Sequence, residues 1–455
     1  RNGVLLAFSL VFYAWGEPKN IALLLLASFA AYAGGLWMER LKERGRSRGR
    51  RAVFWAAVVL LAGNLFVFKY LNFFCDNLGG LLGQALPVPR IALPIGVSFY
   101  TFQILSYVID LYRGETGLQR NFFYLTLYVS FFPQLIAGPI VRYQTIEEEI
   151  LRRQESLADV TAGAKRFIVG LAKKVLIADN VGGIAQLIYQ GDPQVYGSLM
   201  LWLAALAYAL QIYFDFSGYS DMAIGLGRMF GFQFQENFNY PFASGSIKEF
   251  WRRWHISLSS WFRDYLYIPL GGSRRGRVRQ YVNLLVVFAV SGLWHGAALT
   301  FLVWGLLNGG YQVLGALTAP ARMRLRQAVG LREDGRLTAL LQMGCTFLLS
   351  TLAWVFFQAS SLSLAGQVFA RMVQGPLWVY ASAGVDRWDF LAAAGALALL
   401  LAVDWAEQTQ PLSQRWLKAR GPVRWASALA LLLATAVFGC YGPGYDAQSF
   451  IYFQF

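Results

Sequence analysis

The sequence predicts an all-α, polytopic integral membrane protein. Hydrophobic residues make up 56% of the 455 positions and charged residues 14%, well under the quarter or so usual in soluble domains. Apolar runs long enough to cross roughly 30 Å of hydrocarbon recur along the chain. The basic residues collect in short loops beside those runs.

Taken in order, the clearest apolar runs are Ile21–Trp37, Val53–Tyr70, Leu199–Phe214, Leu337–Phe357, Leu391–Val403 and Ala426–Phe438. About ten to twelve membrane-embedded helices are expected, some of them short or re-entrant. The absence of internal repeats and long linkers reads as one integral domain over residues 1–455. The chain opens at Arg1 already inside an apolar pattern, so a leading segment is expected to precede it. No signal peptide is legible.

The net charge of +15 invites a nucleic-acid reading, which its distribution sets aside. Lys and Arg gather in Arg40–Arg51, Arg274–Arg279, Arg322–Arg336 and Arg415–Arg424. Short basic loops beside apolar spans follow the positive-inside rule, so these loops are expected on the cytoplasmic face. The same pattern suits anionic lipid. If Arg415–Arg424 is cytoplasmic, Ala426–Phe438 carries the tail Gly442–Phe455 outside. Ala359–Trp388 then forms an external loop, poor in basic residues as that side requires.

Tyr281–Ala316 has basic loops on both flanks, so it must enter and return as a hairpin. Gly292 and Gly296 are the natural breaking points. His295 lies about fourteen residues in, a helical rise of roughly 20 Å, near the apex. Non-helical backbone at that depth must be buried in protein or line a cavity. Before it, Ile247–Leu270 is rich in Trp, Arg and Tyr and reads as an amphipathic segment at the cytoplasmic interface. His255 sits there or dips inward.

The chain contains two histidines, His255 and His295. An ionisable group in a membrane segment is costly and marks function by default. Histidine, with an unperturbed pKa near 6.5, also suits proton transfer. The plain alternatives are a structural His295 bonded to a carbonyl between helices, and an interfacial His255 in an aromatic belt. Tyr213–Tyr240 carries Asp215, Ser217, Tyr219, Ser220, Asp221, Arg228, Glu236 and Asn237, which either line a polar cavity or tie elements together in pairs. Cys75, Cys345 and Cys440 are far apart in sequence, supporting neither a disulfide framework nor a metal site. The terminus, Ser449–Phe455, is aromatic where polar fraying is usual; it anchors the tail at the interface or docks to present the Tyr452 or Ser449 hydroxyl.

Several stretches resemble the membrane-bound O-acyltransferase (MBOAT) family, in its bacterial alginate O-acetyltransferase-like branch. They are Phe132–Tyr143 (FPQLIAGPIVRY), Tyr219–Phe232 (YSDMAIGLGRMFGF), Glu236–Pro241 (ENFNYP), Glu249–Ser259 (EFWRRWHISLS), Asp264–Gly272 (DYLYIPLGG) and Ser291–Gly296 (SGLWHG). Together they cover most of Phe131–Gly310 and specify the family rather than the polymer modified. The resemblance implies a ring of tilted transmembrane and re-entrant helices around a central tunnel, with the family's first helix missing from this chain. It implies that His295 is the catalytic histidine and that His255 stands where the family keeps a second polar residue. It implies a cytoplasmic thioester donor, acetyl-CoA or an acyl-carrier protein, with no tightly bound cofactor.

Related teichoic-acid D-alanylation systems relay the acyl group through a tyrosine in an aromatic C-terminal motif of a small partner, which points here to Tyr452. The expected function is O-acylation, by acetyl transfer, of an extracytoplasmic polysaccharide from a multi-pass protein of the bacterial cytoplasmic membrane. An extracytoplasmic acetyltransferase or esterase-like partner would receive the acyl group. Arg252 and Arg253 would hold the donor's charged head, and Trp254, Trp294, Asp221 and Asn237 would line the substrate site. A polytopic transporter or flippase is the alternative, although paired half-repeats with broken helices are absent. A catalytically idle scaffold is a third reading.

Overall fold

The computed structural model describes residues 1–84, 86, 88, 91–190, 192–377, 387–409, 415–416 and 418–440. All regular elements among them are helices. The chain divides into two compact units, one of Arg1–Phe167 with Met222–Glu236 and one of Ile168–Asp221 with Asn237–Phe455. The tail Gly442–Phe455, with Tyr452, lies outside the described residues.

The first unit contains α1 (Asn2–Gly16), α2 (Ile21–Glu43), α3 (Ser47–Leu65), α4 (Leu71–Leu82), α5 (Val97–Arg113), α6 (Phe122–Ser130), α7 (Phe132–Leu135) and α8 (Tyr143–Arg152). Helix α9 (Leu157–Ala172) begins there. A π-helical turn, Phe66–Tyr70, joins α3 to α4 into one 36-residue run, Ser47–Leu82. The predicted span Val53–Tyr70 is thus the middle of a longer element.

Helix α5 is buried along nearly its whole length, so it forms the centre of this unit. The motif Phe132–Tyr143 folds against it by polar contacts. The Tyr128 hydroxyl bonds the carbonyls of Gln103 and Val141, at 3.2 and 2.9 Å. Gln134 Nε2 donates to the Tyr128 carbonyl at 2.6 Å, and Gln119 Nε2 to the Tyr143 hydroxyl at 2.7 Å. A Cβ on Gly138 would sit 2.6 Å from Gln134 Cα, so only glycine fits that turn. In this unit, Glu236 and Arg166 form a two-pronged ion pair.

The second unit holds α10 (Asp179–Gln190), much of α11 (Ser198–Met229), α12 (Ile247–Arg253), α13 (Ile256–Phe262), α14 (Arg277–His295), α15 (Leu299–Leu317) and α16 (Ala319–Ala328). It continues with α17 (Arg336–Gln358), α18 (Leu362–Gln374), α19 (Arg387–Thr409) and α20 (Gly421–Phe438). The apolar run Leu199–Phe214 is only the first half of the 32-residue α11. The polar residues Asp215 to Arg228 continue the same helix, because their partners lie across packed neighbours rather than in a loop.

Those partners include a buried ionic cluster. Lys174 Nζ lies 2.6 Å from Asp179 and 2.8 Å from Asp215, and Lys173 pairs with Asp221 at 2.7 Å. The two lysines open a π-helical segment, Lys173–Ala178, that links α9 to α10.

The expected hairpin over Tyr281–Ala316 is α14 and α15. It breaks at Gly296, while Gly292 lies inside α14. Gly292 instead permits close packing, since a Cβ there would sit 2.2 Å from the Phe301 carbonyl oxygen. Likewise, a Cβ on Gly305 would sit 2.2 Å from the Phe288 carbonyl oxygen. Glycine on both helices lets the two backbones approach to contact, as small residues do at membrane helix interfaces.

Five helical runs among the described residues are long and apolar enough to cross a membrane: Ile21–Glu43, Ser47–Leu82, Ser198–Met229, Arg336–Gln358 and Gly421–Phe438. Asn2–Gly16 is a shorter apolar helix, and Ala394–Val403 is a shorter apolar stretch of α19. With so many spans, the chain is a multi-pass membrane protein.

Candidate active site

His295 is the last residue of α14, immediately before the break at Gly296. His255 lies in the two-residue step, Trp254–His255, between α12 and α13, at φ +44°. That left-handed conformation is unusual for a residue with a Cβ and costs on the order of 1–3 kcal/mol. Local bonds hold it: Ile256 N–H donates to the Asn237 carbonyl at 2.9 Å, and Asn239 N–H to the Arg253 carbonyl at 2.9 Å.

The fold brings the two imidazoles together from 40 residues apart, with ring centroids 6.5 Å apart. Both are buried, His255 at 0% exposure and His295 at 6%. Aromatic rings wall them in. Phe216 from α11 meets His255 edge-on at 4.6 Å, and Trp294 lies 5.0 Å from His295 and 6.1 Å from His255. Trp304 from α15 and Phe357 from α17 flank His295 at 5.1 and 5.2 Å. Trp354 stacks on Trp304 at 5.3 Å. Such walls exclude water and lower the local dielectric, which strengthens polar interactions inside. His255 lies outside the spanning helices, and its burial pushes its pKa down, favouring the neutral imidazole.

Polar anchors hold these elements in place. Asn237 is wholly buried. Its Oδ1 accepts from Ser257 N–H at 3.2 Å and Ser257 Oγ at 2.8 Å, and lies 3.1 Å from His255 Nδ1. Its Nδ2 donates to Ser220 Oγ at 3.1 Å. Trp251 Nε1 donates to Asn308 Oδ1 at 3.1 Å, tying α12 to α15. Trp304 Nε1 and Trp354 Nε1, also buried, have no hydrogen-bond acceptor among the described residues. A buried donor without an acceptor costs about 1–3 kcal/mol.

The sequence-predicted residues therefore separate. His255, His295, Trp294 and Asn237 converge. Trp254 is buried, stacked on Phe250 at 5.4 Å and set against Trp354 at 5.2 Å, so it supports the wall. Asp221 is paired with Lys173. Arg253 is paired with Glu249 at 2.8 Å, and Arg252 is exposed. Sequence reasoning missed Ser257, Trp304, Trp354 and Phe357, while Ser220 stood among the polar residues it offered for a cavity. A serine two residues after a singled-out histidine was a usable signal. Trp304 and Trp354 lie inside apolar runs, where no spacing tells a wall residue from one that faces lipid.

The fold thus sets two groups able to take up and release protons side by side in one aromatic chamber, away from bulk water. Residues 118–362 match the membrane-bound O-acyltransferase family. The chain is 40% identical over 382 residues to the probable alginate O-acetylase AlgI of Pseudomonas syringae pv. tomato, covering 83% of this chain and 71% of that one. It is 34% identical over 394 residues to the peptidoglycan O-acetyltransferase of Helicobacter pylori, at 80% and 72% coverage. It is 31% identical over 226 residues to the teichoic acid D-alanyltransferase of Bacillus subtilis, at 47% and 56% coverage. The chain belongs to the MBOAT family, in the branch of the alginate O-acetylases, and is an O-acyltransferase. Membership decides against the transporter reading.

Proposed function

We propose that this protein moves an acetyl group from a cytoplasmic thioester, acetyl-CoA or an acyl-carrier protein, toward an extracytoplasmic polysaccharide. The single observation that carries the reading is the convergence of His255 and His295 in one buried aromatic chamber. The relatives' names, alginate O-acetylase and peptidoglycan O-acetyltransferase, support acetyl as the group and a glycan of the cell envelope as final acceptor. The setting is the bacterial cytoplasmic membrane, with the basic loops inside and the C-terminus outside.

In this mechanism His295 is the general base. It takes the proton of an acceptor hydroxyl as that oxygen attacks the thioester carbonyl. The C–O bond forms, the C–S bond breaks, and the proton passes to the departing thiolate. Such assistance contributes roughly 10²–10⁴-fold. The indole N–H groups of Trp304 and Trp354 are the donors we assign to the carbonyl oxygen as it becomes negative. Arg252 and the Arg274–Arg279 loop receive the donor's charged head.

Tyr452 is the proposed acceptor, which would hand the acetyl group to an extracytoplasmic transferase partner. Its support is the aromatic C-terminal stretch in the sequence. A phenol with a pKa near 10 needs a base to react at neutral pH.

Purified protein incubated with each thioester donor should carry a donor-dependent acetyl adduct by intact mass spectrometry. The adduct should vanish in His295→Ala, and retention there would overturn the assignment of His295. Loss in Tyr452→Phe supports the relay, and an unchanged adduct in that variant removes it.

A further inference from the structure

We infer that Asn237, clamped by Ser257 and Ser220, is a positioning residue that fixes His255 as the Nδ1–H tautomer, making Nε2 its proton-accepting atom. The assignment follows from which groups can only donate. The Ser257 backbone N–H points at one end of the Asn237 amide, at 3.2 Å. A backbone N–H cannot accept, so that end is the oxygen and the –NH₂ faces Ser220 Oγ. The same oxygen lies 3.1 Å from His255 Nδ1. An oxygen with lone pairs and no proton can bond Nδ1 only if Nδ1 carries the hydrogen. In the neutral ring the lone pair then belongs to Nε2.

Ser257 Oγ is consistent with this. It donates to Asn237 Oδ1 at 2.8 Å and lies 3.5 Å from Nδ1, so its own lone pairs face the Nδ1 hydrogen. The left-handed φ of +44° at His255 aims the ring into this clamp, and the Ile256 N–H bond to the Asn237 carbonyl holds the backbone there. Among the described residues, the rings set against it are Phe216 from α11, and Trp294 and His295 from α14. Of these, His295 is titratable.

The consequence for catalysis rests on the acyl-transfer function proposed above. A neutral His255 with Nδ1–H already committed to Asn237 has no hydrogen left to polarise a thioester carbonyl. It serves by accepting at Nε2, either a hydrogen bond that orients the reacting groups or a proton. Orienting partners of this kind change activity by about 10–100-fold when removed.

The chain's two histidines make the test direct. The full-length protein is labelled with [¹⁵N]histidine, and the His295→Gln variant identifies the signals of His255. Nδ1 should appear as a protonated, pyrrole-type nitrogen and Nε2 as a bare, pyridine-type one. The reverse pattern overturns the inference while leaving acyl transfer untouched. In Asn237→Leu the two tautomers should mix, and turnover with acetyl-CoA or acetyl-carrier protein should fall about 10–100-fold. Asn237→Asp keeps an acceptor for every one of those donors. It should retain the Nδ1–H pattern, restore turnover, and move the acid limb of the pH profile up by about 1–3 units through the added negative charge. An unmoved limb, or full turnover in Asn237→Leu, denies Asn237 a positioning role. Failure of acyl transfer in the parent protein itself would instead overturn the proposed function.

Discussion

At the scale of single residues, the chamber is defined by which polar atoms have partners. Trp304 and Trp354 hold buried indole N–H groups whose acceptors are absent among the described residues. If these donors serve the thioester carbonyl, Trp304→Phe should lower kcat by about 10²–10³-fold with a much smaller change in KM. Its thermal midpoint in detergent should hold, since no internal hydrogen bond is lost. Steady-state kinetics beside a melting curve checks both halves, and a loss confined to stability would place Trp304 in packing alone. Lys174 poses the opposite case, a buried cation between two carboxylates. Lys174→Met removes the cation that Asp179 and Asp215 share and should destabilise by about 3–5 kcal/mol. Restoring balance with the triple change Lys174→Met, Asp179→Asn, Asp215→Asn should recover much of that loss in the same melting experiment.

At the scale of elements, α14 and α15 set where His295 stands. Their backbones touch at Gly292 and Gly305, each against a carbonyl oxygen of the facing helix. Gly305→Ala must push the helices apart, because neither atom in that contact is a flexible side-chain end. Overpacking of this kind costs typically about 1–3 kcal/mol. Since His295 and Trp304 lie on the two helices being separated, activity should fall further than stability, and assays at a temperature well below the melt would show it. The sequence predicted this hairpin from its basic flanks alone. It did not distinguish Gly292 from Gly296, since a helix-breaking glycine and a close-packing glycine look alike until the neighbour is known. At α11 the polar residues that follow the apolar run Leu199–Phe214 continue the same helix, with Asp221 and Asp215 met by Lys173 and Lys174.

At the scale of the whole molecule, the distribution of charge predicts orientation. Single cysteines placed in a cysteine-free background within Arg274–Arg279 and Arg322–Arg336 should react with a membrane-impermeant maleimide only after the cells are opened. A cysteine at position 447, in the tail, should react in intact cells. Labelling of the basic loops from outside would reverse the sidedness assumed for the thioester donor. Parts of two family motifs resolve at this scale into structural duty. Phe132–Tyr143 is a hydrogen-bonded fold around α5, and Asp221 is one half of an ion pair.

Composition and the apolar runs sufficed for the membrane class, the basic flanks for the hairpin, and rarity in a membrane chain singled out both histidines. Bilayer thickness and the price of an embedded charge act on any such sequence, whatever its partners. Tertiary structure alone decided that the two imidazoles share a chamber, that Trp304, Trp354 and Phe357 wall it, and which nitrogen of His255 bears hydrogen. Those are relations between segments tens of residues apart, set by helix packing and hydrogen-bond direction. Neither leaves a period or a spacing in the chain.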